Sequence, residues 1–283
     1  MNFLSSKISW GVGFGHFCLQ AAESALLTRA QQILQPWLRE ATGELLGRWK
    51  AVSTEGGWKL LSPPVLQPIL KDWGVSQDHS SAESLIKAVE FQATAVAILH
   101  PGSPLGMHGA LLDSGGQAIA LVGEKEAGKS TLSATLWQAG FKLLSDDGFF
   151  LRDSSLDARP VPRRSRLRGD SREHFPSTFW NELAERSTSF TDSDGSLLFH
   201  PETYTDGTTL KAIILLSAQS GPLERLCPAD ALVDLVRHTY RFVVSGAPAS
   251  MRQLGPLTER VACYRMGRAT LNEQLRRIEG LLA

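Results

Sequence analysis

Cysteine is scarce: Cys18, Cys227 and Cys263 lie far apart in 283 residues, with no CxxC pair. That spacing excludes a disulfide framework and a structural zinc site, and it fits a reducing cytosol. Net charge is also missing. Lys and Arg number 29 and Asp and Glu number 29, so the chain as a whole carries no electrostatic signal for a nucleic-acid partner. No apolar run approaches bilayer-spanning length, and the best candidates, residues 93–99 and 212–218, are as long as core elements. Internal repeats and low-complexity tracts are absent. With 42% hydrophobic and 20% charged residues, a disordered chain is excluded. The opening MNFLSSKISWGVGFGHFCLQAA faintly resembles a signal peptide, but its glycines, His16 and the lack of a clean cleavage site argue against one. The expectation is a cytoplasmic protein that binds neither membrane nor nucleic acid.

What is present divides into two blocks, residues 1–78 and 79–283. In the first, Leu26, Leu27, Ala30, Ile33, Leu34 and Leu38 fall at helical spacing within 19–46, broken by Pro36. Residues 49–52 and 58–61, on either side of Glu55-Gly56-Gly57, read as a hairpin, and 62–74 as a turn with a short helix. Gly11-x-Gly13-x-Gly15 lacks both a preceding strand and a correctly spaced following glycine, so it reads as a flexible turn rather than a nucleotide loop. A small α+β domain is expected, with no chemistry in it.

The second block opens with Ser80-Ser81-Ala82-Glu83, a capping box before a helix over 83–99. Residues 108–113 and 117–122 are strand-like and joined by Ser114-Gly115-Gly116, a hairpin turn sequence. A helix over 130–139 closed by Gly140, a strand over 141–145, a β-patterned run over 210–217, and helices over 229–240 and 271–282 follow. This order predicts an α/β domain with a mixed sheet flanked by helices.

Gly123-Glu124-Lys125-Glu126-Ala127-Gly128-Lys129-Ser130, followed by Thr131, matches GxxxxGK[ST] between an apolar strand and a helix. In that setting the backbone N–H groups and the helix N-terminus cradle phosphates, Lys129 reaches the outer phosphates, and the Ser130 hydroxyl can ligate Mg²⁺. From Lys129 to Asp146 is 17 positions (146 − 129). A helix of about ten residues leaving the loop and a strand of about five returning bring Asp146 and Asp147 level with it. One carboxylate can then hold Mg²⁺ and the other accept a proton from an incoming hydroxyl. His108 starts the hairpin and falls near the same place. Six arginines, Arg159, Arg163, Arg164, Arg166, Arg168 and Arg172, crowd a short stretch beyond, suited to phosphate or carboxylate capture or to a solvated loop beside Asp153, Asp157, Asp170 and Glu173. The stretch 187–196 reads as a loop, and its Asp192-x-Asp194-Gly195 lacks the other ligands of a calcium loop.

His108-Gly109, the Gly123–Ser130 loop and Leu144-Ser145-Asp146-Asp147 together resemble the HPr kinase/phosphorylase-like serine kinases. Arg166-Leu167-Arg168-x-Asp170-Ser171 and Leu210 to Leu216 resemble the kinase-only branch that includes lasso-peptide tailoring kinases. The resemblance spans about residues 80–283 and implies a P-loop domain like the HPr kinase C-terminal domain. It further implies an ATP- and Mg²⁺-dependent kinase acting on a serine of a small protein or precursor peptide, and it allows a homo-oligomer. Under it Asp146 is the base, Asp147 and Ser130 are metal ligands, His108 orients a carboxylate, and Arg166 and Arg168 face the substrate. Two departures stand out. Lys125 and Glu126 replace the family's usual Ser and Gly, and Glu126 brings a negative charge and no glycine freedom at positive φ. The glycine-arginine-asparagine signature of the reverse, dephosphorylating reaction is missing. The competing readings are a non-catalytic ATP-binding regulatory or scaffold module and small-molecule phosphoryl transfer of the phosphoenolpyruvate carboxykinase kind.

Overall fold

The computed structural model describes residues 6–11, 15–38, 43–72, 75–100, 102–151, 156–161, 163–185, 189–192, 194–200 and 208–282. Gly13, Asp153, the start of the signal-like stretch and residues 187, 188 and 193 of the 187–196 loop lie outside them. The chain divides into two compact units between Ser103 and Pro104.

In the first unit β1 (Ser6–Gly11), β2 (Gly15–Ala21), β3 (Glu44–Thr54), β4 (Gly57–Leu61) and β5 (Asp78–His79) form one sheet in that order. Helices α1 (Ser24–Leu34), α2 (Gln67–Asp72) and α3 (Ala82–Leu99) accompany it. Leu19 and Leu46 are strand residues, so the helical run expected over 19–46 is confined to α1, with Pro36 in the 3₁₀ turn that ends it. The reason is tertiary: the rings of Trp10, Phe17 and Trp49 pack with centroids 5.5–5.9 Å apart, and that cluster selects strands. The 49–61 hairpin forms as expected, with Thr54 opposite Gly57. Helix α3 is capped by Ser81, whose Oγ accepts from Ser84 N, while Glu83 reaches Arg29 Nε at 2.6 Å instead of closing a capping box. Leu85, Ile86, Val89 and Ala93 are buried, and Gln92 Oε1 accepts from Trp49 Nε1 at 2.7 Å. That packing places the helix in the first unit, so the division falls after Ser103 rather than after residue 78.

The second unit contains β6 (Leu105–Met107), β7 (Gly109–Ser114), β8 (Gln117–Gly123), α4 (Lys129–Gln138), β9 (Lys142–Ser145), β10 (Phe149–Leu151), β11 (Asp157–Pro160) and β12 (Ser165–Leu167). It continues with α5 (Ser177–Ala184), β13 (Phe190–Thr191), β14 (Leu197–Phe199), β15 (Thr208–Ser220), β16 (Leu223–Arg225), α6 (Pro228–Leu235), α7 (Tyr240–Arg260), β17 (Ala262–Arg268) and α8 (Leu271–Leu282). Among the described residues nine strands make a mixed sheet ordered β6-β10-β11-β15-β8-β7-β9, with β17 on β15 and β16 on β17, while β12, β14 and β13 form a small separate sheet. Along β8, Ile119 and Leu121 join the core that includes Leu132, Leu136 and Ile278 of α4 and α8. Ala118, Ala120 and Val122 join the core that includes Leu235, Leu254 and Leu257 of α6 and α7. A strand covered on both faces explains why residues 118–122 are apolar without alternation. Gly115 and Gly116 take φ of +61° and +84°, the values a tight two-residue hairpin turn requires. Gly140 follows α4 at φ +99°. Helix α7 has no counterpart in the expected pattern. It starts after the 3₁₀ turn Val236–His238, breaks at Gly246 (φ +74°) and contains Pro248 and Pro256. No helix among the described residues is long and apolar enough to cross a membrane.

Candidate functional site

The site begins where β8 ends. Gly123 lies opposite Leu216 of β15, and a Cβ on it would stand 2.9 Å from the Leu216 carbonyl oxygen, so only glycine lets the strands stay paired there. The chain then turns through Glu126 at φ +69° and Gly128 at φ +90° into the first turn of α4. Glu126 thus takes the left-handed conformation for which glycine is the usual choice. Glu124, Lys125 and Glu126 are exposed, Ala127, Ser130 and Thr131 are half-buried, and Lys129 is buried. Lys129 Nζ donates to the carbonyls of Gly123 (2.7 Å) and Glu124 (2.9 Å). Burial lowers its pKa, opposed by the charges of Asp147 and Glu124 and reinforced by that of Arg168. Thr131 Oγ1 lies 3.4 Å from Ser171 Oγ.

Strand register sets the second half. Gly109 pairs with Val122, and Leu111 pairs with Ser145, the last residue of β9. The next residues after Ser145 therefore come level with His108, Gly109 and the start of the loop. Asp146 is buried, and its Oδ2 accepts from the Arg166 backbone N–H at 2.8 Å. Burial first, and the neighbouring Asp147 charge second, raise its pKa to about 7, opposed by the Arg166 amide and Arg163. Asp147 is half-buried and pairs with Arg163. Its backbone carbonyl accepts from Tyr240 Oη at 2.9 Å and lies 2.9 Å from His108 Nδ1. The tautomer with hydrogen on Nδ1 makes that bond and leaves the Nε2 lone pair available. His108 Nδ1 is also 3.6 Å from Asp147 Oδ1. Burial lowers the histidine pKa, with Asp147 opposing, so the neutral ring is favoured.

The arginines separate. Arg159 pairs with Asp157 at 2.9 Å, and Arg172 lies over the Trp180 ring at 5.7 Å. Arg166 pairs with Asp194, so its backbone amide rather than its guanidinium meets the aspartate pair. Arg168 is exposed and near enough to Lys129 to affect its pKa. Arg163, not singled out within the cluster by the sequence, is the guanidinium on Asp147. Its only sequence signal was membership of that cluster.

A nucleoside triphosphate with a divalent cation fits these residues. The loop offers amides at a helix N-terminus and a lysine, a ready anion site. Among the described residues no group of three His, Cys, Asp or Glu could cage a metal ion alone. Ser130 and Asp147 would supply one or two hard oxygen ligands, the usual protein share for Mg²⁺ when phosphates complete the shell.

No protein-family model matches the chain, and no curated protein does either. Among solved structures, the Hpr(Ser) kinase/phosphatase from Coxiella burnetii is similar at 13% identity and a TM-score of 0.34, covering 62% of this chain and 87% of that one.

Proposed function

We propose that this chain is a kinase that uses Mg·ATP to phosphorylate a hydroxyl, with a serine of a small protein or biosynthetic precursor peptide as the acceptor. The observation that supports it most is the strand register that sets Asp146 and Asp147 beside the start of the Gly123–Ser130 loop. A Mg²⁺ ion held beside the loop would supply positive charge to offset what develops on phosphoryl transfer. Ser130 Oγ and Asp147 would hold the cation, and Asp147 would exchange its pairing with Arg163 for it. Lys129 would turn from the Gly123 and Glu124 carbonyls to the phosphates. Asp146 would accept the proton of the attacking hydroxyl; a carboxyl whose pKa is pushed up to about 7 takes a proton more readily than an ordinary one. His108 would hold the Asp147 backbone and so keep the pair in place. Arg168 and Arg166 are the proposed contacts to an anionic acceptor group.

The test is transfer from γ-labelled ATP to a panel of serine-bearing peptides, each paired with its alanine counterpart. Label on the serine peptide alone, lost on chelating the divalent cation, is the expected result. ATP binding with no transfer to any peptide, protein or small hydroxyl acceptor would favour the non-catalytic module instead.

A further inference from the structure

On the other side of β8 from the aspartates, the carboxyl ends of β15 and β17 open into a cavity of about 440 Å³. Its wall is apolar at Leu215, Leu216 and Ala218, and Glu124, Asp234 and Arg237 bring charge to it. Glu124 to Ala127 of the loop line it as well, so it is continuous with the phosphate loop, but the phosphoryl chemistry proposed above uses none of its β15 and β17 wall. Leu216 lies opposite Gly123 in a parallel pairing, and Leu215 lies opposite Arg265 in another, so β8, β15 and β17 deliver their carboxyl ends to one crevice. Open α/β sheets take ligands in such crevices, and the volume is that of a small-molecule site.

We infer that this cavity receives the nucleoside half of the triphosphate, with the Arg237 guanidinium stacking on the base. The inference rests on the loop binding a triphosphate. Strand order supplies the direction: β9 stands two places from β8 on one side, and β15 one place on the other. At ~4.8 Å per strand, that sets the β15 wall of the cavity roughly 14 Å from β9. On its near side the His238 carbonyl accepts from His108 N at 2.8 Å, so the cavity opens towards the aspartates. A nucleotide laid across the loop presents its terminal phosphoryl to Asp146 and Asp147 and its base to the cavity. The acceptor hydroxyl, which has to reach Asp146, comes from the β9 side and does not compete. Arg237 sits on the 3₁₀ turn Val236–His238, largely exposed, with Nη1 3.5 Å from Glu124 Oε1. A guanidinium at the mouth of an apolar-walled cleft offers a face for a base. Asp234 is oriented by Arg265, and its carboxylate retains acceptor capacity for ribose hydroxyls.

Calorimetric titration of the full chain with Mg·ATP and with inorganic tripolyphosphate, in wild type, Arg237→Ala and Ala218→Trp, tests this. ATP is expected to bind at least about tenfold tighter than tripolyphosphate in wild type, a modest gain for an added nucleoside. Arg237→Ala is expected to weaken ATP about three- to tenfold, and Ala218→Trp to weaken it further by filling exposed space, while tripolyphosphate affinity stays constant in both. Equal affinity for the two probes in wild type, or ATP affinity unchanged in both variants, would overturn the cavity assignment and leave the loop intact. If neither probe binds wild type, the loop assignment itself falls, and the cavity assignment with it.

Discussion

Glu126 holds left-handed backbone at φ +69°, which costs a non-glycine residue roughly 1–2 kcal/mol. It also sets a carboxylate on the rim of a loop that would receive phosphates. Glu126→Gly relieves both and is expected to tighten Mg·ATP binding by about threefold or more, read by calorimetry; weaker binding would mean that Glu126 makes a favourable contact of its own. Asp146 carries the opposite kind of cost. Its pKa stands near 7 in the folded chain against 3.8 for an unperturbed carboxyl, so the folded chain holds the proton more tightly. The stabilisation from that proton is complete below the unfolded value and is lost as pH rises through about 7. Asp146→Asn cannot ionise. Metal-free Asp146→Asn is expected to exceed wild type in stability at pH 8, on the order of 1–4 kcal/mol, and to match it near pH 4. Urea unfolding at both pH values checks this, and a difference that does not change with pH would contradict the burial account.

At the scale of elements, the 109–123 hairpin and the helix after the loop were legible because their signals are local. Gly115-Gly116 specifies a tight turn, the apolar run 118–122 specifies a strand, and the loop glycines punctuate strand and helix. Strands β1 and β2 were not legible, since the Trp10, Phe17 and Trp49 cluster that makes them strands assembles residues far apart in sequence. Helix α7 was hidden by Gly246, Pro248 and Pro256, which read as breakers, and the non-helical backbone at Gly246 shows that the chain does break there. The Arg163–Asp147 pair bridges 16 positions, beyond any periodicity. The hairpin is also the element that aligns the site. A Cβ at Gly109 would lie 2.5 Å from the Leu121 carbonyl oxygen. Gly109→Ala is therefore expected to lower stability by about 1–3 kcal/mol, seen as an earlier denaturation midpoint. An unchanged midpoint would show that the β7–β8 pairing can spread there without cost.

For the molecule as a whole, the division after Ser103 was not legible, because an amphipathic helix such as α3 does not announce which sheet will bury it. The candidate chemistry falls entirely within the second unit, on the ends of β8 and β9 and the start of α4. Lys129 is buried at a desolvation cost, and its ammonium bonds the loop carbonyls of Gly123 and Glu124. Lys129→Ala is expected to leave Tm within a few degrees of wild type while ATP affinity falls by about tenfold or more. Wild-type affinity in that variant would remove the loop from the account.

In the proposed reaction Asp146 takes a proton and its neighbour Asp147 holds the cation. Measuring the rate of γ-phosphoryl transfer together with Mg·ATP affinity in wild type, Asp146→Asn and Asp147→Asn tests it most directly. Asp146→Asn is expected to lose about 10² to 10⁴ in transfer rate with affinity little changed, and Asp147→Asn to lose Mg²⁺-dependent affinity as well. Transfer at the full rate in Asp146→Asn would contradict the account.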